Sequence, residues 1–283
     1  MTLASPVSVV MPAYRARPTI ARAVKSLLDQ THTAFELVVV SDDGVDYAAV
    51  LEDAGIADPR IRHVSTGAVG SGSPPARNLG LEHARHDLCA ILDADDRFAP
   101  QKLALMVPAA LEHGLASCAL TITDATGRPL RTVGAGPDRL LGPGEYKFTN
   151  LSMDSMLVYD RRRADPRFDP ALPCMTDLDF LLRLFAGIAR CLHLGSPLHD
   201  YVKLPVSVSN GPGVAARMIG AKTLIRERLA AGAYRLADPD GIAGMDRFLA
   251  ISLAAERSFD AAAVPQPALF EDHLEPMLSA GAA

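Results

Sequence analysis

The chain has 283 residues, 49% of them hydrophobic, and a formal net charge of −5 without runs of Lys or Arg. This composition allows one or two domains with a sizeable core, and it argues against a nucleic-acid partner. No apolar run approaches the roughly 18 residues that span a bilayer, the first residues do not resemble a signal peptide, and the four Cys lack metal-ligand spacing and are expected to be reduced.

In the first half of the chain, short apolar runs typical of strands alternate with helical patterns. Strands are predicted at 7–14, 35–40, 61–64 and 88–92. Helices are predicted after Pro18 and over about 47–54 and 75–84. Strands that alternate with helices favour a parallel sheet, whose ligands bind at the carboxyl ends of the strands.

The second half is less regular. The pattern predicts a helix over 98–113, strands at 115–123 and 155–159, and helices over 214–232 and 242–259. Gly127 to Gly144 is rich in Gly and Pro and is predicted to be a loop, either a plain surface loop or a lid over the site. Residues 261–283 are rich in Ala and Pro, and we expect a frayed tail.

The acids that follow the strand at 88–92 are the strongest functional signal. Carboxylates this close repel each other, and burying them unpaired costs several kcal/mol. A divalent cation that holds a nucleotide diphosphate would offset this cost, whereas a plain acidic turn is the alternative. Other polar residues also fall at the carboxyl ends of predicted strands, and this convergence favours a nucleotide site. The residues concerned are Tyr14, Asp42, Asp43, Asp93 and Asp95.

Several sequence blocks carry a family resemblance. They are Val9–Tyr14, Ser26–Thr31, Phe35–Gly44, Ala76–Gly80 and Leu92–Asp96, followed by Arg167–Pro170 and Thr176–Arg183. Their order and spacing over about residues 5–210 resemble the family 2 glycosyltransferases. That resemblance implies the GT-A fold, an α/β Rossmann-like, mostly parallel sheet flanked by helices. It also implies an inverting, metal-dependent hexosyltransferase that moves a sugar from a nucleotide-diphosphate sugar to an acceptor hydroxyl.

By this resemblance, residues 1–210 form the glycosyltransferase domain, with a donor half over about 1–125 and an acceptor half over about 126–210. Residues 211–283 are then a C-terminal helical extension and tail. The donor-binding residues implied are Pro12, Ala13, Tyr14, Asp42, Asp43, Arg77, Asn78, Asp93, Ala94 and Asp95.

Within this set the resemblance also implies individual roles. Asp95, with Asp93 beside it, would hold Mn²⁺ or Mg²⁺, whereas Asp96 is expected to cap the following segment. A carboxylate accepts hydrogen bonds only, so Asp42 or Asp43 would select a base that offers an N–H, uracil or thymine. A plain Asp-Asp-Gly turn is the alternative there, and a purely structural role is equally open for Arg77.

Asp177 falls where the family has its catalytic base. The alternative is that Thr176 and the acids Asp177 and Asp179 merely stabilise a helix start. Arg183 is expected to pair with acids of the same block.

The sequence departs from the family pattern at three positions. Thr176 replaces a Glu, Val45 alters the loop after Gly44, and Leu204 stands where some relatives have a metal-binding His. The cation would therefore rely on the acids, phosphates and water. The chain has no Trp, which excludes the Gln-x-x-Arg-Trp motif of processive synthases and predicts transfer of single sugars.

The expected partners are a UDP- or TDP-sugar and a saccharide, lipid-linked or small-molecule acceptor, in polysaccharide, glycolipid or glycoconjugate biosynthesis. The expected location is the cytoplasm, with peripheral contact at the inner membrane face left open. Two alternatives stay open: a degenerate nucleotide-sugar-binding module without catalysis, and a sugar nucleotidyltransferase. The latter would need a Gly-rich phosphate loop where this chain has Pro12, Ala13 and Tyr14.

Overall fold

The computed structural model describes residues 5–149, 157–203, 213–259 and 270–281. Its strands are β1 (Val7–Ala13), β2 (Phe35–Ser41), β3 (Ile61–Ser65), β4 (Leu88–Ile91), β5 (Arg97–Phe98), β6 (Leu115–Thr123), β7 (Pro129–Val133), β8 (Arg139–Leu141), β9 (Val158–Asp160) and β10 (Cys191–Val202). Its helices are α1 (Ile20–Leu28), α2 (Tyr47–Asp53), α3 (Ser73–His83), α4 (Lys102–His113), α5 (Pro143–Thr149), α6 (Thr176–Leu184), α7 (Val214–Ala230), α8 (Gly241–Ser258) and α9 (Phe270–Gly281).

The described strands form one sheet in the order β3-β2-β1-β4-β9-β6-β10-β5, with β7 beside β6 and β8 beside β10. The first four strands are parallel to one another, as predicted from the alternation of strands and helices. β9 runs antiparallel to both β4 and β6 and so joins this parallel unit to the second half, in which β6 and β10 are again parallel. The four parallel strands therefore end at one common edge of the sheet.

Alternating side chains of the strands pack on opposite faces of the sheet, because successive residues of a strand point to opposite sides. In β1, Val10 packs with α6, α7 and α8 residues in one buried cluster, whereas Val9 and Met11 pack with α1 and α4 in a second one. Gly80 of α3 is required for close approach on the first face. A Cβ there would lie 2.2 Å from Val10 Cγ1 and 3.1 Å from Val40 Cγ2.

The loop predicted over Gly127–Gly144 is wrong for most of its length. β7 forms a hairpin with β6, β8 pairs with β10, and α5 begins at Pro143. The Gly and Pro residues favour a loop in the local pattern, whereas β7 forms by pairing with the preceding strand β6 and β8 by pairing with the distant strand β10. The predicted helix over 98–113 likewise begins only at Lys102, since Phe98 pairs with His199 of β10.

The frayed tail is also wrong over residues 270–281, which form α9. Leu274 and Leu278, four residues apart, are both buried in the core, and Arg131 of β7 pairs with Asp272 and Glu275. The composition obscured this apolar spacing. The strand predicted at 155–159 is present from Val158, and its first two residues lie outside the described residues.

The four Cys are buried and form no disulfide, as expected. None of the helices within the described ranges is long and apolar enough to cross a membrane.

Candidate functional site

The carboxyl ends of β1, β2 and β4 lie side by side. Ala13 is in register with Ser41, and Leu92 continues β4 by donating its N–H to Val10 O at 2.9 Å. The residues that follow these strands, among them Tyr14, Asp42 and Asp93, are therefore brought to one edge of the sheet, as the pattern predicted.

The Asp42 carboxylate anchors the loop between β3 and α3. Its Oδ1 accepts hydrogen bonds from Thr66 Oγ1 at 2.8 Å, from Ser71 N at 3.1 Å and from Ser71 Oγ. Its Oδ2 accepts one from Gly72 N at 2.9 Å. Asp42 is only 2% exposed, so its acceptor capacity is used largely within the protein.

Asp43 stabilises the turn that follows β2. Its carboxylate accepts hydrogen bonds from Arg15 N at 2.6 Å, Val45 N at 3.1 Å and the Tyr47 hydroxyl at 3.0 Å. Burial acts to raise the pKa of this carboxyl, but the bonds from Arg15, Val45 and Tyr47 outweigh it and lower the pKa below the usual value. Arg15 has φ +53°, a left-handed conformation that is costly outside Gly and here stands beside the predicted site.

Tyr14 leaves its ring at the surface, 45% exposed. The Arg15 guanidinium lies 5.1 Å from the centre of this ring, and a Cβ added at Gly70, in the loop held by Asp42, would lie 3.6 Å from Tyr14 Cε2. Tyr14 therefore presents an exposed aromatic face next to the loop, whereas Ala13 is buried. Asp46, in the segment that departs from the family pattern, accepts bonds from Ala48 N and Ala49 N and caps α2.

The three acids after β4 have different environments. Arg77 of α3 donates from Nη2 to both oxygens of Asp93, at 2.9 and 3.0 Å. The Asp95 carboxylate forms no hydrogen bond or ion pair with any other of the described residues. Asp96 is 1% exposed and accepts bonds from His199 and from Val202 N of β10, so it ties down the following segment rather than facing the site edge.

The pKa of the Asp95 carboxyl is strongly perturbed by its surroundings. Burial, together with the nearby charges of Asp96 and Asp93, raises its pKa to about 7. No group of three or more His, Cys, Asp or Glu in the described part of the chain is arranged to hold a metal by itself. Asp93 and Asp95 offer carboxylate oxygens, the ligand type that hard cations prefer, and such cations commonly take further ligands from phosphates and water.

Arg77 and Asn78 connect the acid turn, residues 93–96, to Phe168 in the segment that precedes α6. The Arg77 guanidinium lies 5.1 Å from the centre of the Phe168 ring. Asn78 Nδ2 donates to Phe168 O at 2.9 Å, and Phe168 N donates back to Asn78 Oδ1 at 2.8 Å. Phe168 in turn stacks on Phe180 of α6, with ring centres 4.0 Å apart. Contacts therefore run from Asp93 to the helix that carries Asp177.

The two acids in the first turn of α6 differ sharply. Asp179 is fully buried and accepts bonds from Arg183 Nε at 2.6 Å, Arg228 Nη1 at 3.2 Å and the Tyr234 hydroxyl at 2.6 Å. No hydrogen bond or ion pair within the described ranges involves the Asp177 carboxylate, which is 7% exposed. Met175, just before the helix, has φ +56°.

Asp179 is therefore a structural anchor between α6 and the C-terminal helices, and Arg183 pairs with an acid of its own block as expected. The Thr176 side chain forms no capping bond, and the residue at the N-cap position is Met175. The segment from Leu204 to 212, including the position where relatives have a His, lies outside the described residues.

The sequence pattern gave no indication of two groups of residues near the site. One is the set around Asp179 contributed by Arg228 and Tyr234, and the other is formed by Lys102 and His199 behind Asp96. Both depend on contacts between residues 49 to 103 positions apart, which no local pattern encodes.

Residues 8–151 match the sequence profile described as Glycosyl transferase family 2. A glycosyltransferase of teichuronic acid biosynthesis, TuaG of Bacillus subtilis, is 30% identical over 217 residues, which are 75% of this chain and 84% of TuaG. The chain belongs to glycosyl transferase family 2. The succinoglycan biosynthesis protein ExoO of Rhizobium meliloti is 37% identical to this glycosyltransferase over 65% of the chain and 57% of ExoO.

Solved structures show that this family 2 enzyme has the GT-A fold. Staphylococcus aureus TarS 1–349 in complex with UDP-GlcNAc aligns with a TM-score of 0.68 and 16% identity, over 98% of this chain and 79% of TarS 1–349. The mannosyltransferase PcManGT of Pyrobaculum calidifontis, in complex with GDP-Man and Mn²⁺, aligns with a TM-score of 0.58 and 16% identity, over 99% of this chain and 87% of PcManGT. The predicted family, fold class and enzyme class are thereby confirmed.

Proposed function

We propose that this glycosyltransferase moves one hexose at a time, with inversion, from a UDP- or TDP-sugar to an acceptor hydroxyl. The donor would bind at the edge formed by β1, β2 and β4, and Mn²⁺ or Mg²⁺ would bind with it. The observation that carries this proposal is the contrast between Asp95, whose half-buried carboxylate has no hydrogen bond or ion pair with another described residue, and Asp93, which is held by Arg77.

Asp95, with Asp93 beside it, would hold the cation, which when bound would neutralise charge on the leaving diphosphate. The raised pKa of Asp95 supports this assignment, because a positive charge placed there would relieve the repulsion from Asp93 and Asp96. Arg77 would meet both the donor and Asp93, since a planar guanidinium suits phosphate as well as carboxylate oxygens.

Asp177 is proposed as the catalytic base. It would take the proton of the acceptor hydroxyl while that oxygen forms a bond to the anomeric carbon of the donor sugar. The bond between the anomeric carbon and the diphosphate oxygen breaks, and the nucleoside diphosphate leaves with its electron pair. Asp179 is unsuited to this role because three side chains bind its buried carboxylate.

For the nucleotide, Asp42 and the exposed ring of Tyr14 support a uracil or thymine base. The ring offers a stacking surface, and a carboxylate selects bases that present an N–H. Thr66 and Ser71 bind Asp42 Oδ1, whereas Oδ2 accepts one bond, from Gly72 N, so Oδ2 is the oxygen that would accept the N–H of the base.

Relatives named for teichuronic acid and succinoglycan biosynthesis support a saccharide acceptor in polysaccharide or glycoconjugate synthesis, free or lipid-linked. The lack of Trp in this sequence supports transfer of single sugars. A cytoplasmic location, a peripheral membrane contact and a boundary near residue 210 between the catalytic domain and the C-terminal extension belong to the same proposal.

The test is the release of UDP from a panel of UDP-sugars, measured with and without Mn²⁺. Wild-type protein should release UDP only with the cation, and Asp95→Asn should lose this activity while its circular dichroism spectrum is unchanged. Asp53→Asn, which changes an exposed acid of α2, is the matched control and should retain full activity. Metal-independent release, or full activity in Asp95→Asn, would contradict the proposed site.

A further inference from the structure

A buried chain of three polar side chains lies directly behind the acid turn. Lys102 Nζ of α4 is 3.0 Å from His199 Nδ1 of β10, and His199 Nε2 is 2.9 Å from Asp96 Oδ2. All three residues are at most 1% exposed. Burying polar groups this deeply costs free energy unless they are hydrogen-bonded. Removal of any one of the three side chains would therefore leave a buried partner without its hydrogen bond.

The partners fix the direction of the hydrogen bonds. A Lys ammonium is a donor only, so His199 Nδ1 accepts and the proton of the neutral ring is assigned to Nε2, which donates to Asp96. Burial, helped by the charge of Lys102, holds the pKa of His199 well below its usual value, in keeping with a neutral ring. Phe98 covers the chain, with its ring centre 3.8 Å from Lys102 Nζ and 5.6 Å from the centre of the His199 ring.

Asp96 connects this chain of hydrogen bonds to the acid turn, which contains Asp95. Its N–H donates to Asp93 O at 3.0 Å, which closes the turn, and its Oδ1 accepts the bond from Val202 N at 2.9 Å. On the opposite side, Arg22 Nη2 of α1 donates to Asp95 O at 3.1 Å. The backbone around Asp95 is thus held from two sides, while its carboxylate is left without a partner among the described residues.

We propose that Lys102 and His199 are positioning residues that act through Asp96 to hold the acid turn ready for the donor diphosphate and its cation. This inference rests on the proposed function, and it assigns a role to three buried residues outside the proposed set of donor-binding residues. Residues that orient a metal ligand in this indirect way typically change affinity about 10- to 100-fold when removed.

His193 supplies a matched control on the same strand. It is also buried and bonded at both ring nitrogens, with Ser117 Oγ 2.9 Å from Nδ1 and Gly134 O 2.6 Å from Nε2, and neither of these partners belongs to the acid turn. Substitution of either His by Leu therefore removes a buried ring and its hydrogen bonds, and only His199→Leu releases Asp96.

The experiment is calorimetric titration of UDP with Mn²⁺ into wild type, His199→Leu, His193→Leu and His199→Gln. The Kd for UDP should rise at least about tenfold in His199→Leu and change less than about twofold in His193→Leu. His199→Gln, whose amide N–H can replace Nε2 as the donor to Asp96, should recover most of the affinity. If His199→Leu does not fold, Lys102→Met, which keeps the length of the buried side chain, should weaken UDP binding in the same direction.

Equal effects of His199→Leu and His193→Leu, or full affinity in Lys102→Met, would overturn the positioning role while leaving the proposed function intact. Failure of the wild type to bind UDP with Mn²⁺ would overturn the proposed function and this inference together. The two failures are therefore distinguishable in one data set.

Discussion

Separate substitutions of Asp177 and Asp179 test whether these two acids of α6 have different roles, the first catalytic and the second structural. The acids lie two residues apart in the same helical turn, and Asp→Asn preserves the shape of both side chains. We expect Asp177→Asn to remove activity with little loss of stability, and Asp179→Asn to lower stability strongly.

The environment of each carboxylate gives the magnitudes. Breaking a buried ion pair by removing one partner costs about 3–5 kcal/mol. The lower figure applies to Asp179, because its partners Arg183 and Arg228 are 41% and 24% exposed and can regain water. At roughly 2–4 °C per kcal/mol for a chain of this size, Asp179→Asn should lower Tm by about 6–12 °C.

Asp177→Asn should lose only a favourable charge at a helix start, on the order of 0.3–1 kcal/mol. Turnover should fall by roughly 10² to 10⁴ if this carboxylate takes the acceptor proton. Donor binding should persist, since the donor residues proposed above lie on other elements.

The assay combines differential scanning calorimetry, UDP titration and initial rates of UDP release for the two variants and the wild type. An Asp177→Asn variant with a lower Tm but normal turnover would refute the base assignment. An Asp179→Asn variant of unchanged Tm would refute the structural role argued from its three partners.

Three further predictions concern the rest of the site. First, between about pH 4 and 7 the raised pKa keeps Asp95 protonated in the folded protein, whereas the same carboxyl is ionised in the unfolded chain. The free energy of unfolding of the metal-free protein should therefore fall as the pH rises through this range, by at most about 4 kcal/mol. Urea unfolding across this range should show that Asp95→Asn flattens the dependence, and an equal slope in both proteins would contradict the assignment. Second, Gly80→Ala should cost about 1–3 kcal/mol in urea unfolding, because the new methyl group meets Val10, and an unchanged midpoint would contradict that packing. Third, in a thermal-shift screen UDP or TDP should stabilise the protein more than GDP does, and preferential stabilisation by GDP would show that Asp42 does not select the base.

The local pattern predicted the elements of the first half well because their strands are short apolar runs bounded by polar residues and separated by helical patterns. The strand at Phe35–Ser41, for example, is fully buried and contains the continuous apolar run Leu37–Val40. The predicted parallel sheet also placed Asp42 and Asp93 at one edge of the sheet, because parallel strands align their carboxyl ends.

The sequence did not reveal which of the acids already has protein partners. Asp42 and Asp179 look as available as Asp95 and Asp177 in the sequence, yet Thr66, Ser71, Arg228 and Tyr234 bind the first pair. These partners come from loops and helices distant along the chain, and only the packed fold places them. Helix α9 escaped prediction for the same reason, since its partner Arg131 lies 141 and 144 positions from Asp272 and Glu275. The β6–β7 hairpin is a local contact, and β7 was missed because the Gly and Pro residues around it favour a loop.

The most direct test of inverting transfer at this site is the anomeric configuration of the sugar first released from an α-linked UDP-hexose. Proton NMR recorded during Mn²⁺-dependent hydrolysis, before mutarotation, reports this configuration. A single displacement assisted by Asp177 predicts that the β-anomer appears first and that Asp177→Asn suppresses it. Initial release of the α-anomer would contradict the account.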